Sequence, residues 1–184
     1  MPYHRSRAVF LDRDGVLVEH VHYLSKPGEL RLVRDAARSL RSLHAAGLKT
    51  ILVTNQSGVG RGYFSLRQLH KVHRRLREML ARGKAKLDAI YYCPHAPASK
   101  SRACSCRKPA AALFKRAAKR FAIDLKSSFV VGDSTSDIQA ARNIGATAIL
   151  VKTGYGGSDG RHRVEADKTC RDLASASRWI ICFP

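Results

Sequence analysis

The 184 residues carry 34 Lys and Arg against 14 Asp and Glu, a formal charge of +20 with neutral histidines. This length supports one domain over residues 1–184 with a real hydrophobic core, and an apolar content of 45% is that of a globular chain, not a disordered one. No apolar run is long enough to span a bilayer, and residues 1–14 hold basic side chains but no apolar signal core, so a cytoplasmic protein with no membrane partner is expected.

Val9, Phe10 and Leu11 read as a buried strand over residues 8–11. The strand runs into Asp12-Arg13-Asp14-Gly15, two carboxylates one residue apart. Like charges this close repel, so the pattern costs stability unless a cation or a reaction needs it. A helix follows over residues 35–46, with Ala36, Leu40 and Leu43 on one face and Gly47 as its stop. Lys49–Asn55 is a second strand. Ser65 with Gln68 makes a capping-box signature. Behind it Leu66, Leu69, Val72, Leu76 and Met79 recur at helical spacing, which leaves the arginines of that stretch on the outer face. Residues 87–93 form a third strand, and Pro109 opens a helix carrying Leu113, Phe114, Ala117 and Phe121. Residues 128–133 are a fourth strand, followed by a helix from about 136 to 144 with Gly145 after it. A fifth strand spans 147–152, and residues 171–181 make a last short helix.

Strands alternating with helices imply an α/β fold, a doubly wound and mainly parallel Rossmann-like sheet covered on both faces. Ligands of such sheets bind beyond the carboxyl ends of the strands. Asp12, Thr54 and Asp133 each follow an apolar strand, so all three can meet at one edge. Any one of them alone reads as a cap or turn residue; three together do not.

Three of the five cysteines crowd into residues 93–106. Cys93, His95, Cys104 and Cys106 form a Cys3His set suited to tetrahedral Zn2+, with pairs spaced more tightly than in a usual zinc finger; the bland reading is a loop of unligated thiols. A zinc so bound has no open position for water and is structural. Cys170 and Cys182 read as ordinary apolar thiols. The basic balance suits nucleic acid or small anionic substrates; its dispersal along the chain disfavours nucleic acid as the partner.

The motifs FLDRDGV, VTNQSG, CRKP and VGDSTSD, in that order over residues 8–153, resemble the four motifs of the haloacid dehalogenase phosphohydrolase superfamily. LDRDG, TNQSGVGRG and YYCPH with CSCRKP are similar to its histidinol-phosphatase and heptose-bisphosphate phosphatase branch. The resemblance implies a haloacid dehalogenase-type fold with a zinc-stabilised loop and no large cap domain. It also implies Mg2+-dependent hydrolysis of a sugar phosphate through an aspartyl-phosphate. Asp12 would be the nucleophile and Asp14 the acid–base, which gives the paired carboxylates of the first motif their chemical reason. Mg2+ would be held by Asp12, the backbone carbonyl of Asp14, and Asp133. Thr54 and the backbone amides of Asn55, Gln56 and Ser57 would donate to the phosphoryl oxygens. Lys108 would supply a fixed charge to that group, and Arg107 would hold a second phosphate. Asp137 would orient its loop or cap its helix. Residues 20–23 would line the pocket, with His20 and Tyr23 as contacts and His22 left on the surface. Arg13 and Ser134 complete the expected substrate contacts, although the branch often carries Lys where Ser134 stands. The expected protein is a monomer acting on a small phosphorylated sugar, a heptose bisphosphate. Histidinol phosphate and a nucleic-acid 3′-phosphate are the competing substrates. A zinc-stabilised nucleic-acid-binding module is the competing non-enzyme.

Overall fold

A computed structural model describes residues 6–97 and 104–183. The start of the N-terminal stretch (residues 1–5), the part of the cysteine loop at 98–103 and Pro184 lie outside the described residues.

Six strands form one sheet: β1 Ala8–Leu11, β2 Lys49–Asn55, β3 Ala89–Cys93, β4 Phe129–Gly132, β5 Thr147–Val151 and β6 Lys168–Cys170. Their order is β3-β2-β1-β4-β5-β6, and every pairing is parallel. The helices are α1 Ala36–Ala45, α2 Ser57–Gly60, α3 Leu66–Arg82, α4 Ala112–Phe121, α5 Thr135–Ile144 and α6 Leu173–Cys182, with a 3-10 turn at Pro27–Glu29. Among the described residues no helix is long and apolar enough to cross a membrane. Within the described residues no insert builds a cap domain.

The sheet divides the core in two. Side chains alternate across a strand, so Val9 and Leu11 enter one cluster with Leu40 and Leu43 of α1, Leu76 and Leu80 of α3, and Ile180 of α6. Ala8 and Phe10 enter the other, with Phe114 and Ala117 of α4 and Ile138 and Ala141 of α5. Phe10 meets the Phe114 ring edge-on at 5.2 Å. Burial on both faces is why β1 and β4 read as continuous apolar runs.

The capping box at α3 forms as its sequence predicts: Gln68 N donates to Ser65 Oγ at 3.2 Å, and Ser65 N donates to Gln68 Oε1 at 2.7 Å. Pro109 does not open α4. It sits in a turn closed by Ala110 N donating to the Arg107 carbonyl at 2.8 Å, and the helix starts only at Ala112. The last helix starts at Leu173, where the Asp172 carboxylate accepts from Ser175 N at 2.8 Å and fixes its first turn. β6 was not expected: it has three residues, of which only Cys170 is buried, too few to show an apolar pattern.

Candidate active site

All strands point the same way, so β1, β2 and β4 deliver their last residues to one edge. Carboxylate oxygens of Asp12 after β1, Asp133 after β4 and Asp137 in the first turn of α5 lie within 4.8 Å of one another. Lys108 answers them from across the sheet. Its Nζ donates to Asp12 Oδ1 at 2.7 Å and to the Val53 carbonyl at 2.7 Å, and pairs with Asp137 Oδ1 at 2.6 Å. Burial opposes the Lys108 charge, but the charges and hydrogen bonds of Asp12 and Asp137 outweigh it and hold the ammonium protonated. Asp137 also caps its helix, accepting from Ser134 N at 3.2 Å and Ser134 Oγ at 2.6 Å. Burial, and then the Asp12 charge, push Asp133 up to about 8.

One ammonium cannot balance three clustered carboxylates, two of them buried. That donor set, hard oxygens with surplus negative charge, fits a divalent cation such as Mg2+. The protein shapes the place closely. Gly15 and Gly154 both have positive φ, and a Cβ on either would come within 2.3 and 2.0 Å of Asp133 Oδ2. Tyr155 N donates to that same oxygen at 2.8 Å.

The Asp14 side chain stands apart from this trio. Arg13 clasps it with three bonds, Nε to Oδ1 at 3.1 Å and Nη2 to Oδ1 at 3.0 Å and to Oδ2 at 2.9 Å. Gln56 Nε2 donates to Asp14 Oδ2 at 3.1 Å and to Thr54 Oγ1 at 2.9 Å. Thr54 therefore accepts from Gln56 and keeps its hydroxyl proton to donate. Arg13, read from the sequence as a substrate contact, is 1% exposed and directs its guanidinium at Asp14. Its Nη1 is buried without a hydrogen-bond partner. The three backbone donors expected at residues 55–57 are reduced to two at most, because Gln56 N donates to the Cys93 carbonyl at 2.8 Å. The Asn55 side chain turns to the backbone of Lys108.

A cavity of about 220 Å3 opens above these groups. Asp12, Asp14, Lys108 and Asp133 form its floor, and His20, Tyr23, Asn55, Gln56, Ser57, Arg107 and Ser134 stand in its walls. His22 is exposed, as the sequence reading has it, and stands at the rim of the cavity with its ring 4.3 Å from that of Tyr23.

Sequence reasoning missed Leu24, Gly58, Ser136, Tyr155 and Arg161 of the lining. Tyr155 and Arg161 belong to the loop after β5. Thr153 Oγ1 donates to the Gly15 carbonyl at 2.5 Å, Gly157 N to the Asp133 carbonyl at 2.8 Å, and Thr135 N to Asp159 Oδ1 at 2.7 Å. Gly154, Gly156, Gly157 and Gly160 all adopt positive φ along it. The glycine clustering in TGYGGSDG was the available signal. The Tyr155 ring meets His20 edge-on at 4.7 Å.

The four predicted zinc ligands converge beside the cavity. Their ligand atoms lie within 4.8 Å of one another. Cys93 Sγ is 3.6 Å from both His95 Nδ1 and Cys104 Sγ, and Cys104 Sγ is 2.9 Å from His95 Nδ1 and 3.0 Å from Cys106 Sγ. Zinc–sulfur bonds of about 2.3 Å set ligand–ligand edges of about 3.8 Å, so the cluster is compatible with one tetrahedral zinc. Arg107 and Lys108 leave the cluster directly, and Arg107 Nη1 donates back to the His95 carbonyl at 3.4 Å.

A family model described as HAD-hydrolase-like matches residues 105–176. The D-glycero-D-manno-heptose-1,7-bisphosphate 7-phosphatase of Thermosynechococcus vestitus is 40% identical over 185 residues, covering 94% of each chain. The D-glycero-beta-D-manno-heptose-1,7-bisphosphate 7-phosphatase of Pseudomonas aeruginosa is 36% identical over 80% of this chain and 82% of its own. Among solved structures, D,D-heptose 1,7-bisphosphate phosphatase from B. bronchiseptica, complexed with magnesium and phosphate, superposes with a TM-score of 0.86 at 31% identity. That match covers 97% of this chain and 99% of the other.

Proposed function

The chain belongs to the heptose-1,7-bisphosphate 7-phosphatase family of HAD-like hydrolases, and from that premise we propose how its residues remove the 7-phosphate of a D-glycero-D-manno-heptose 1,7-bisphosphate. The protein is a phosphoric monoester hydrolase. The observation that carries the residue-level reading is the Asp12–Asp133–Asp137–Lys108 cluster, which faces a small cavity at the carboxyl edge of the sheet.

Asp12 attacks phosphorus through one carboxylate oxygen. A phosphorus–oxygen bond forms to Asp12 while the bond to the sugar oxygen breaks. Asp14 gives its proton to that departing oxygen. Asp14 then takes a proton from water, which attacks the aspartyl-phosphate, frees phosphate and restores Asp12. Arg13 and Gln56 fix the orientation of Asp14 through both steps. Lys108 holds Asp12 Oδ1, which leaves Oδ2 to react. The Thr54 hydroxyl proton is available to the phosphoryl oxygens. Asp12, Asp133 and the Asp14 carbonyl would hold Mg2+, which when bound offsets the negative charge of the phosphoryl group.

Cys93, His95, Cys104 and Cys106 form a structural zinc site in this reading. The protein fills all four positions, and the chain leaving the last ligand places Arg107 and Lys108. The same reading takes the protein as one cytoplasmic domain acting as a monomer. Its surplus of cationic surface supports the attraction of a doubly phosphorylated substrate.

The test is Mg2+-dependent phosphate release from both anomers of the heptose bisphosphate, fructose bisphosphate, histidinol phosphate and a 3′-phosphorylated oligonucleotide. The heptose bisphosphates are expected to show the highest kcat/KM. A clear preference for histidinol phosphate or the oligonucleotide would overturn the substrate reading.

A further inference from the structure

The loop after β5 carries Arg161 to a position that its sequence context does not advertise. Asp159 accepts from Thr135 N at 2.7 Å and from Thr135 Oγ1 at 3.0 Å, while His162 N donates to Thr135 Oγ1 at 3.1 Å. Arg161 is thus pinned on both sides to the start of α5, next to Ser134, whose hydroxyl is neutral. Its own nearest carboxylate, Asp159, is 3.8 Å from Nε, too long for a hydrogen bond, and that acid is already committed to Thr135. Arg161 and Arg107 both line the reaction cavity. Both also line a second cavity of about 580 Å3. Burial, and the neighbouring charges of Arg161 and Arg61, work against the Arg107 cation, while the nearby thiols favour it. Two guanidinium groups without a full carboxylate partner, beside a site for one phosphate, form a receptor for a second one.

We infer that Arg161 pairs with Arg107 to bind the phosphate that is not removed, which makes the loop after β5 a determinant of bisphosphate specificity. This rests on the bisphosphate reading above. It adds a residue outside the four motifs to the recognition of substrate. Binding of this kind is expected in both ground and transition states, so it acts on KM and leaves kcat alone.

The experiment compares wild type, Arg161→Ala, Arg161→Lys and a remote charge control, Arg74→Ala on the exposed face of α3. Arg161→Ala should raise KM for the heptose bisphosphate about tenfold or more, with kcat and the turnover of p-nitrophenyl phosphate unchanged. Arg161→Lys should recover part of the loss, and Arg74→Ala should show none of it. An unchanged KM in Arg161→Ala, or an equal effect in Arg74→Ala, would overturn the inference. A second arm measures inhibition of p-nitrophenyl phosphate turnover by heptose 1-phosphate. Weaker inhibition of Arg161→Ala than of wild type sustains the subsite even where the substrate screen names another physiological substrate. Equal inhibition of both, or none of the wild type, overturns it.

Discussion

Asn55 grips the backbone of Lys108 at both polar ends: its Nδ2 donates to the Lys108 carbonyl at 3.2 Å, and its Oδ1 accepts from Lys108 N at 3.0 Å. The end of β2 thereby fixes a residue 53 positions later, whose ammonium must reach both Asp12 and Asp137. Each such bond is worth about 1 kcal/mol net. Asn55→Ala should therefore cut kcat roughly ten- to thirtyfold, and Asn55→Asp, which keeps only the acceptor, should fall between. Steady-state kinetics decide it: an unaltered kcat in Asn55→Ala would mean that Lys108 is placed without Asn55.

Asp12→Asn should abolish turnover while the thermal unfolding midpoint stays within a few degrees, because an amide cannot form the acyl phosphate and Asp137 still pairs with Lys108. Asp14→Asn should lose about 10²- to 10⁴-fold in kcat through missing proton transfer. Residual turnover near wild type in pure, metal-replete Asp12→Asn would rule out the covalent mechanism.

About one equivalent of zinc should accompany the purified protein. Cys104→Ser should lower that content and raise KM for the bisphosphate by displacing Arg107, which begins one residue after Cys106. Metal analysis and kinetics on the same preparation check both claims. Fully active protein with no bound zinc would refute them.

Stability should also depend on a buried imidazole. His73 is 6% exposed, and its Nε2 has no hydrogen-bond partner. Burial, followed by the charges of Arg13, His70 and Arg77, lowers its pKa to about 3. Between that value and about 6.5 the unfolded chain binds a proton that the folded chain refuses, so stability falls as pH falls through this window. At pH 5 the loss amounts to about 2 kcal/mol. The urea midpoint of the wild type should drop more steeply from pH 7 to pH 5 than that of His73→Phe. Parallel slopes for the two proteins would show that His73 is not responsible.

What can be read from the sequence follows from how locally each signal is written. Residues 8–11 and 49–55 announce strands because both faces are buried, and Asp12 and Asp133 announce chemistry because, with Thr54, they close three apolar strands that can meet at one edge. Arg161 is silent. The neighbouring glycines signal an irregular loop, but where that loop carries Arg161 depends on Asp159 finding Thr135, a contact across 24 residues. The pairing of Arg13 with Asp14 is equally illegible: the resemblance offers Arg13 as a substrate contact, and only the fold shows its guanidinium turned onto Asp14 at the cavity floor. The bond from Gln56 N to Cys93 depends on how β2 and β3 end side by side, a register that no single segment encodes.

The strand order carries a consequence for the protein as it is made. β1 is synthesised first yet lies inside the sheet, hydrogen-bonded to β2 on one side and β4 on the other. Asp12, which follows it, meets Lys108 from 96 residues further on, and the two remaining carboxylates of the cluster come later still. A chain cut short before β4, even one that keeps both Asp12 and Lys108, therefore lacks two of the three clustered carboxylates, so the candidate site is whole only in a fragment that spans β1 through α5.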